Sequence, residues 1–131
     1  MREIKFRGMT SKGWLYGDLI HNRGKVYIAP VGEIYHDALA EDFEVTDIHS
    51  IGQFTGQYDK NGKEIYEGDV IRYYYDPHKK VFSQGIVIYS IGSFEILMKP
   101  LKYYNNNQLE VVGNLYYKIR NSSTQAKGLV S

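Results

Sequence analysis

A chain of 131 residues, 43% hydrophobic and 24% charged, has the size and make-up of one ordinary globular domain or two very small ones, and not of a disordered polymer. Its 16 Lys and Arg against 15 Asp and Glu leave a formal net charge of +1, so no overall field draws it onto nucleic acid or acidic lipid, and any such binding needs a local patch. The complete absence of Cys excludes disulfides, thiolate catalysis and Cys-ligated zinc.

The first residues, Met1 to Arg7, alternate charged and apolar side chains, a pattern that predicts a strand rather than a secretion signal. No apolar run approaches the roughly 20 residues of a membrane-spanning helix, so the expectation is a soluble protein without a membrane role, and the lack of Cys fits a reducing cytoplasm. Trp14 to Ile20 and Lys25 to Ala29 form a predicted hairpin around His21-Asn22-Arg23-Gly24. His36 to Asp47 mixes acidic and apolar residues without period-2 alternation and reads as a short helix or an acidic loop.

Strand patterning returns at Ile51 to Thr55 and again at Asp69 to Tyr75, with a polar loop through Gly62 between them. Asp76-Pro77-His78-Lys79-Lys80 interrupts with a basic tip. Val81 to Ser90 and Ser93 to Met98 flank Ile91-Gly92 as a second hairpin, with a bend or bulge at Gly85. Leu109 to Val112 and Leu115 to Ile119 flank Gly113-Asn114 as a third. The residues from 118 onward read as a polar tail. With 13 Tyr, 13 Gly and only 3 Pro, short strands joined by Gly turns should dominate. Tyr16-Gly17-Asp18-Leu19-Ile20 also echoes Glu67-Gly68-Asp69-Val70-Ile71, which raises an internal duplication as an expectation to test.

The stretch from Gly52 to Ile71 is specified almost residue by residue. Asn61-Gly62 is a strong hairpin signal, and Asp59 is placed to accept backbone N–H groups and close that turn. Gly68 permits a second corner, where Asp69 can tie down the start of the next strand. Thr55, Gly56, Asp59, Asn61, Gly62, Tyr66, Glu67, Gly68 and Asp69 therefore form a structural motif.

That order of residues, Gln-aromatic-Thr-Gly, then Asp-x-Asn-Gly, then Ile-Tyr-Glu-Gly-Asp-apolar, resembles the YopX-like family of small phage and prophage proteins. Arg2 to Arg7 and Glu110 to Tyr116 look like the family's two ends, so the resemblance covers nearly the whole chain. Gln57-Tyr58 departs from an expected Leu-containing pair, and the tail from Tyr117 is basic and Ser-rich rather than Asn-Pro-Glu. The resemblance implies a mainly β fold with an SH3-like β-barrel in the C-terminal two-thirds, and it brings no catalytic residues. The expected organisation is an N-terminal β segment over 1–49 with at most one short helix, a barrel over 50–117 and a tail over 118–131.

Enzymatic signals are weak. Glu64, Glu67 and Asp69 could hold a divalent cation in a small metal-dependent phosphodiesterase, but turn duty accounts for Asp69. His21, His36, His49 and His78 are scattered, and only His36-Asp37 matches a metal-phosphohydrolase dipeptide. Gly62-Lys63 lacks a phosphate-binding loop, and Ser93 lacks the glycines of a nucleophile elbow. No catalytic residue, metal or cofactor is therefore expected.

Binding surfaces are better represented. Arg72, Tyr73, Tyr74, Tyr75, Lys79 and Lys80, together with Lys99, Lys102, Tyr103 and Tyr104, could stack bases and meet phosphates. Against this, Ile71, Tyr73 and Tyr75 could form the buried face of one strand, and Glu64, Glu67 and Asp69 would repel phosphate on a shared surface. The leading expectation is a non-enzymatic, homo-oligomeric protein-interaction module, with nucleic-acid binding second and the phosphodiesterase third.

Overall fold

The computed structural model describes residues 3–30, 40–76, 78, 80–90 and 92–116. The protein is mainly β, with eleven strands and several single-turn 3₁₀ segments among those residues. It divides into two compact units, Met1–Gly56 and Gln57–Ser131.

In the first unit, β1 (Phe6–Thr10), β2 (Gly13–Asn22), β3 (Lys25–Pro30) and β4 (Gly52–Tyr58, which runs on past the boundary) stand in the order β3-β2-β1-β4. The β2–β3 hairpin turns on Arg23 and Gly24, with φ of 52° and 77°, because Asn22 already pairs with Lys25. The two-residue turn with both φ positive matches the twist of the flanking strands. Gly17 sits in mid-strand, where a Cβ would lie 1.9 Å from the Ala29 carbonyl oxygen. The strand expected over residues 1–7 starts later, at Phe6, and buries Arg7 beneath Trp14, whose ring lies 5.1 Å from the guanidinium carbon.

Between β3 and β4 the described residues carry the 3₁₀ turns Glu41–Phe43 and Ile48–Ser50. Val45 bridges Thr10, and the Ser50 hydroxyl donates to the Asp47 carbonyl while accepting the Met9 N–H. The acidic stretch is thus an ordered connection, built of turns, from residue 40 onward; His36 and Asp37 lie outside the described residues.

The second unit contains β5 (Glu64–Tyr66), β6 (Asp69–Tyr74), β7 (Phe82–Ile86), β8 (Ile88–Ser90), β9 (Ser93–Ile96), β10 (Lys99–Pro100) and β11 (Leu109–Asn114). Two antiparallel sheets, β11-β6-β7 and β10-β9-β8, are continuous in the chain through Val87, an arrangement consistent with an SH3-like barrel. Ile65, Ile71, Val87, Phe94, Ile96, Leu101 and Leu109 make its core, with Tyr73, Tyr104 and Val111 packed against them. The period-2 alternation of β6 puts Ile71 and Tyr73 toward this core and leaves Arg72 and Tyr74 on the opposite face.

The bend between Phe82 and Ser90 falls at Val87, which leaves the ladder to exchange hydrogen bonds with Gly68 and Asp69, and not at Gly85. Gly85 serves packing instead, since a Cβ there would meet the Leu97 and Ile96 side chains at 3.0 to 3.1 Å. Gly113-Asn114 is not a hairpin turn: β11 runs through it along β6, with an irregularity between Val111 and Gly113, and Leu115 and Tyr116 then turn helical. Gly113 is not among the residues of positive φ, which a two-residue hairpin turn would demand. Residues 117–119, the expected second arm, lie outside the described residues.

The echo between residues 16–20 and 67–71 has no structural counterpart. Gly17 lies within β2 without a positive φ, beside an exposed Asp18, whereas Gly68 turns a corner at φ 92° and Asp69 is fully buried. The β9–β10 connection is unusual in another way. Ile96 pairs with Lys99 across a two-residue turn made by Leu97 and Met98, with φ of 54° and 66°, positions where Asn or Gly is ordinarily found.

Candidate nucleic-acid interface

The motif run first builds a rigid corner. Asp59, only 5% exposed, accepts the N–H groups of Asn61 (2.8 Å) and Lys63 (2.9 Å) through one carboxylate oxygen and that of Val111 (3.0 Å) through the other. Gly62, at φ 79°, donates its N–H to the Asp59 carbonyl, and Asn61 is not in the left-handed region. The loop is therefore an Asp-closed turn rather than a turn with two left-handed residues. A carboxylate satisfied three times by backbone donors fixes the loop against β11. One residue on, the Lys60 N–H donates to the Leu109 carbonyl at 2.9 Å, which sets where the Lys60 side chain begins.

The second corner is built in the same way. Asp69 accepts the Tyr66 N–H at 2.7 Å, Gly68 donates to the Val87 carbonyl, and Leu115 donates to the Gly68 carbonyl. Tyr66 donates its hydroxyl to Glu64 at 3.1 Å. Glu64, Glu67 and Asp69 do not gather into a cation site: among the described residues no three carboxylates or imidazoles converge.

The outward face of the β11-β6-β7 sheet carries the candidate site. Tyr74 pairs with Phe82 and Arg72 with both Gln84 and Glu110, so these side chains share one face by register. Lys60, Arg72, Tyr74, His78, Lys80, Phe82 and Asn107 line a groove of about 460 Å³ there. The Tyr74 and Phe82 rings are 5.6 Å apart and inclined by 60°. The Lys60 ammonium lies 4.7 Å from the centre of the Tyr74 ring, and the Arg72 guanidinium 4.4 Å from that of Phe82.

Glu110 is the acidic member of this neighbourhood. It accepts the Tyr74 hydroxyl at 2.8 Å and lies 3.6 Å from Lys60. Arg72 reaches the neutral Gln84 amide oxygen at 3.4 Å; among the described residues neither Arg72 nor Lys80 is ion-paired. The groove therefore keeps a positive excess next to two aromatic faces. Gln108 donates to the Tyr74 carbonyl at 3.0 Å and steadies the end of β6.

Of the residues singled out in the sequence, the structure brings Arg72, Tyr74 and Lys80 together; Lys79 lies outside the described residues. Lys60, Phe82, His78 and Asn107 complete the groove from other elements. Lys99, Lys102 and Tyr103 do not line it. Lys99 sits 5.1 Å from the Tyr104 ring centre, and Lys102 lies 5.3 Å from that of the exposed Tyr103. The strand face proposed for Ile71, Tyr73 and Tyr75 is buried only in part. Ile71 is in the core and Tyr73 packs on it, but Tyr75 is 56% exposed and its hydroxyl shares a hydrogen bond with that of Ser83.

On that side Tyr73 makes edge contacts with Tyr75 and Tyr104, at 5.0 and 4.9 Å between ring centres. Burial, and then the neighbouring Tyr73 and Tyr75 phenols, push the Tyr104 hydroxyl above the ordinary tyrosine value. Its hydroxyl donates to the Ile96 carbonyl at 3.0 Å.

The two small β units, the second carrying a pair of carboxylate-tied corners and an aromatic, cationic sheet face, define a mainly β protein. Its sequence matches the family described as YopX protein over residues 5–119, and the chain belongs to that family. No protein among the curated sequences matches it. Among solved structures it is similar to protein EF1440 from Enterococcus faecalis, at 22% identity and a TM-score of 0.48, with 88% of this chain and 94% of that one covered. No helix among the described residues is long and apolar enough to cross a membrane.

Proposed function

We propose that this chain is a single-stranded nucleic-acid-binding module whose binding surface is the outward face of the β11-β6-β7 sheet. The observation that carries the reading is the convergence of two aromatic rings, Tyr74 and Phe82, with three cations, Lys60, Arg72 and Lys80, around one groove. Aromatic faces take unstacked bases whatever their identity, and Lys and Arg meet the phosphates between them. A duplex keeps its bases stacked and offers those rings nothing. The reading includes a non-enzymatic role in the cytoplasm of a bacterium carrying a phage or prophage.

Fluorescence anisotropy with labelled single- and double-stranded oligonucleotides tests it. Single strands should bind more tightly than duplex of the same length, and Phe82→Ala should weaken the single-strand complex about tenfold, the effect of losing one stacked base. Equal affinity for both forms, or no binding at low salt, would remove the proposal.

A second reading, the homo-oligomeric protein-interaction module, is favoured by a different observation. Ile88, Tyr89, Leu97 and Met98 are all exposed, and Met98 is 97% so. Apolar side chains at strand edges and turn tips are material for self-association. Light scattering over a range of concentrations separates the two readings, since a monomer at high concentration would count against an assembly but leaves the groove intact.

A further inference from the structure

One face of each aromatic ring in the groove is already covered in the free protein. Lys60 stands over Tyr74 and Arg72 over Phe82, so a base cannot stack on those two faces while the cations stay in place. The two rings are inclined by 60°, so they present separate faces rather than one parallel slot. Each cation is held loosely: Lys60 is 3.6 Å from one Glu110 carboxylate oxygen, a long ion pair, while the other oxygen accepts the Tyr74 hydroxyl at 2.8 Å, and Arg72 has a neutral partner at 3.4 Å. A cation over a solvent-exposed ring is a weak contact, and a charge-assisted hydrogen bond to a phosphate is stronger.

We infer that the groove takes its ligand by an exchange of caps, in which phosphates draw Lys60 and Arg72 off the rings while unstacked bases occupy the vacated faces of Tyr74 and Phe82. The inference rests on the nucleic-acid reading and specifies its ligand. The groove selects for a base and a phosphate on one molecule, because each alone performs half of the exchange. Phosphate without a base uncovers the rings to water, and a nucleoside without a phosphate meets rings still covered. Lys80 and His78, at the basic tip, extend the phosphate track beyond the two caps.

Side-chain NMR of the full chain reads the exchange directly. In the free protein the Arg72 and Lys60 methylene protons should be shifted upfield by the rings beneath them. Saturation with a short single-stranded oligonucleotide should abolish those shifts, whereas a free nucleoside should leave them in place. A strand of the same length made of abasic sites should bind about tenfold or more weakly than the strand with bases. Ring-current shifts that persist in the saturated oligonucleotide complex would overturn the exchange while leaving nucleic-acid binding standing, whereas equal affinity for the abasic strand would overturn the exchange together with base stacking on Tyr74 and Phe82. Failure of every strand to bind at low salt would overturn both together.

Discussion

Asp59 is the residue on which the most geometry depends. Its carboxylate holds three backbone N–H groups from two segments of the second unit, and it is buried, so removing it leaves buried donors unsatisfied as well as losing charge-assisted bonds. Asp59→Ala should destabilise the protein by about 3 kcal/mol in urea unfolding, and Asp59→Asn by less, since an amide oxygen can still accept part of the set. Tyr104 gives a pH-dependent prediction. Its hydroxyl titrates higher folded than unfolded, so it contributes fully below the unfolded value of about 10, and that contribution is lost as pH rises through the raised folded value. Alkaline unfolding curves of the parent protein and Tyr104→Phe should therefore converge in slope below that value and separate above it, with the parent falling more steeply. Parallel curves across the whole range would show that Tyr104 is not perturbed.

At the scale of elements, the β9–β10 turn is the clearest departure from local preference. Leu97 and Met98 both occupy left-handed backbone, where a side chain carries a cost that glycine avoids. Leu97 recovers some of it by packing where Gly85 lacks a Cβ, but Met98 is almost wholly in solvent. Met98→Gly should stabilise the protein by about 1 kcal/mol, read from the urea midpoint at unchanged slope.

The sequence makes the strands of β6 and the hairpin at Arg23-Gly24 legible because alternation and turn chemistry are local signals. It also exposes Arg72 and Tyr74 as one face of a strand. Phe82 joins them only through the register across the Asp76–Lys80 tip, and Lys60 only because Asp59 ties its turn to β11; neither relation has a local signature. The misreading of Gly113-Asn114 has the same origin. A Gly-Asn pair signals a turn in isolation, but the chain between Tyr74 and Leu109 returns β11 to β6, and pairing with that strand overrides the local preference.

For the whole molecule, a net charge of +1 hides an uneven distribution. Lys60, Arg72 and Lys80 face one groove with Glu110 as its neighbouring carboxylate, while Glu64 and Asp69 are engaged at the second corner with Tyr66. On the proposed reading, local charge and aromatic surface, not overall charge, decide what the groove holds. The salt dependence of its affinity for a single-stranded oligonucleotide tests this most directly. With three cations meeting phosphates, log affinity should fall against log salt with a slope of about −2, and Arg72→Ala should reduce that slope by about 0.7. A slope near zero, or one that Arg72→Ala leaves unchanged, would contradict the account.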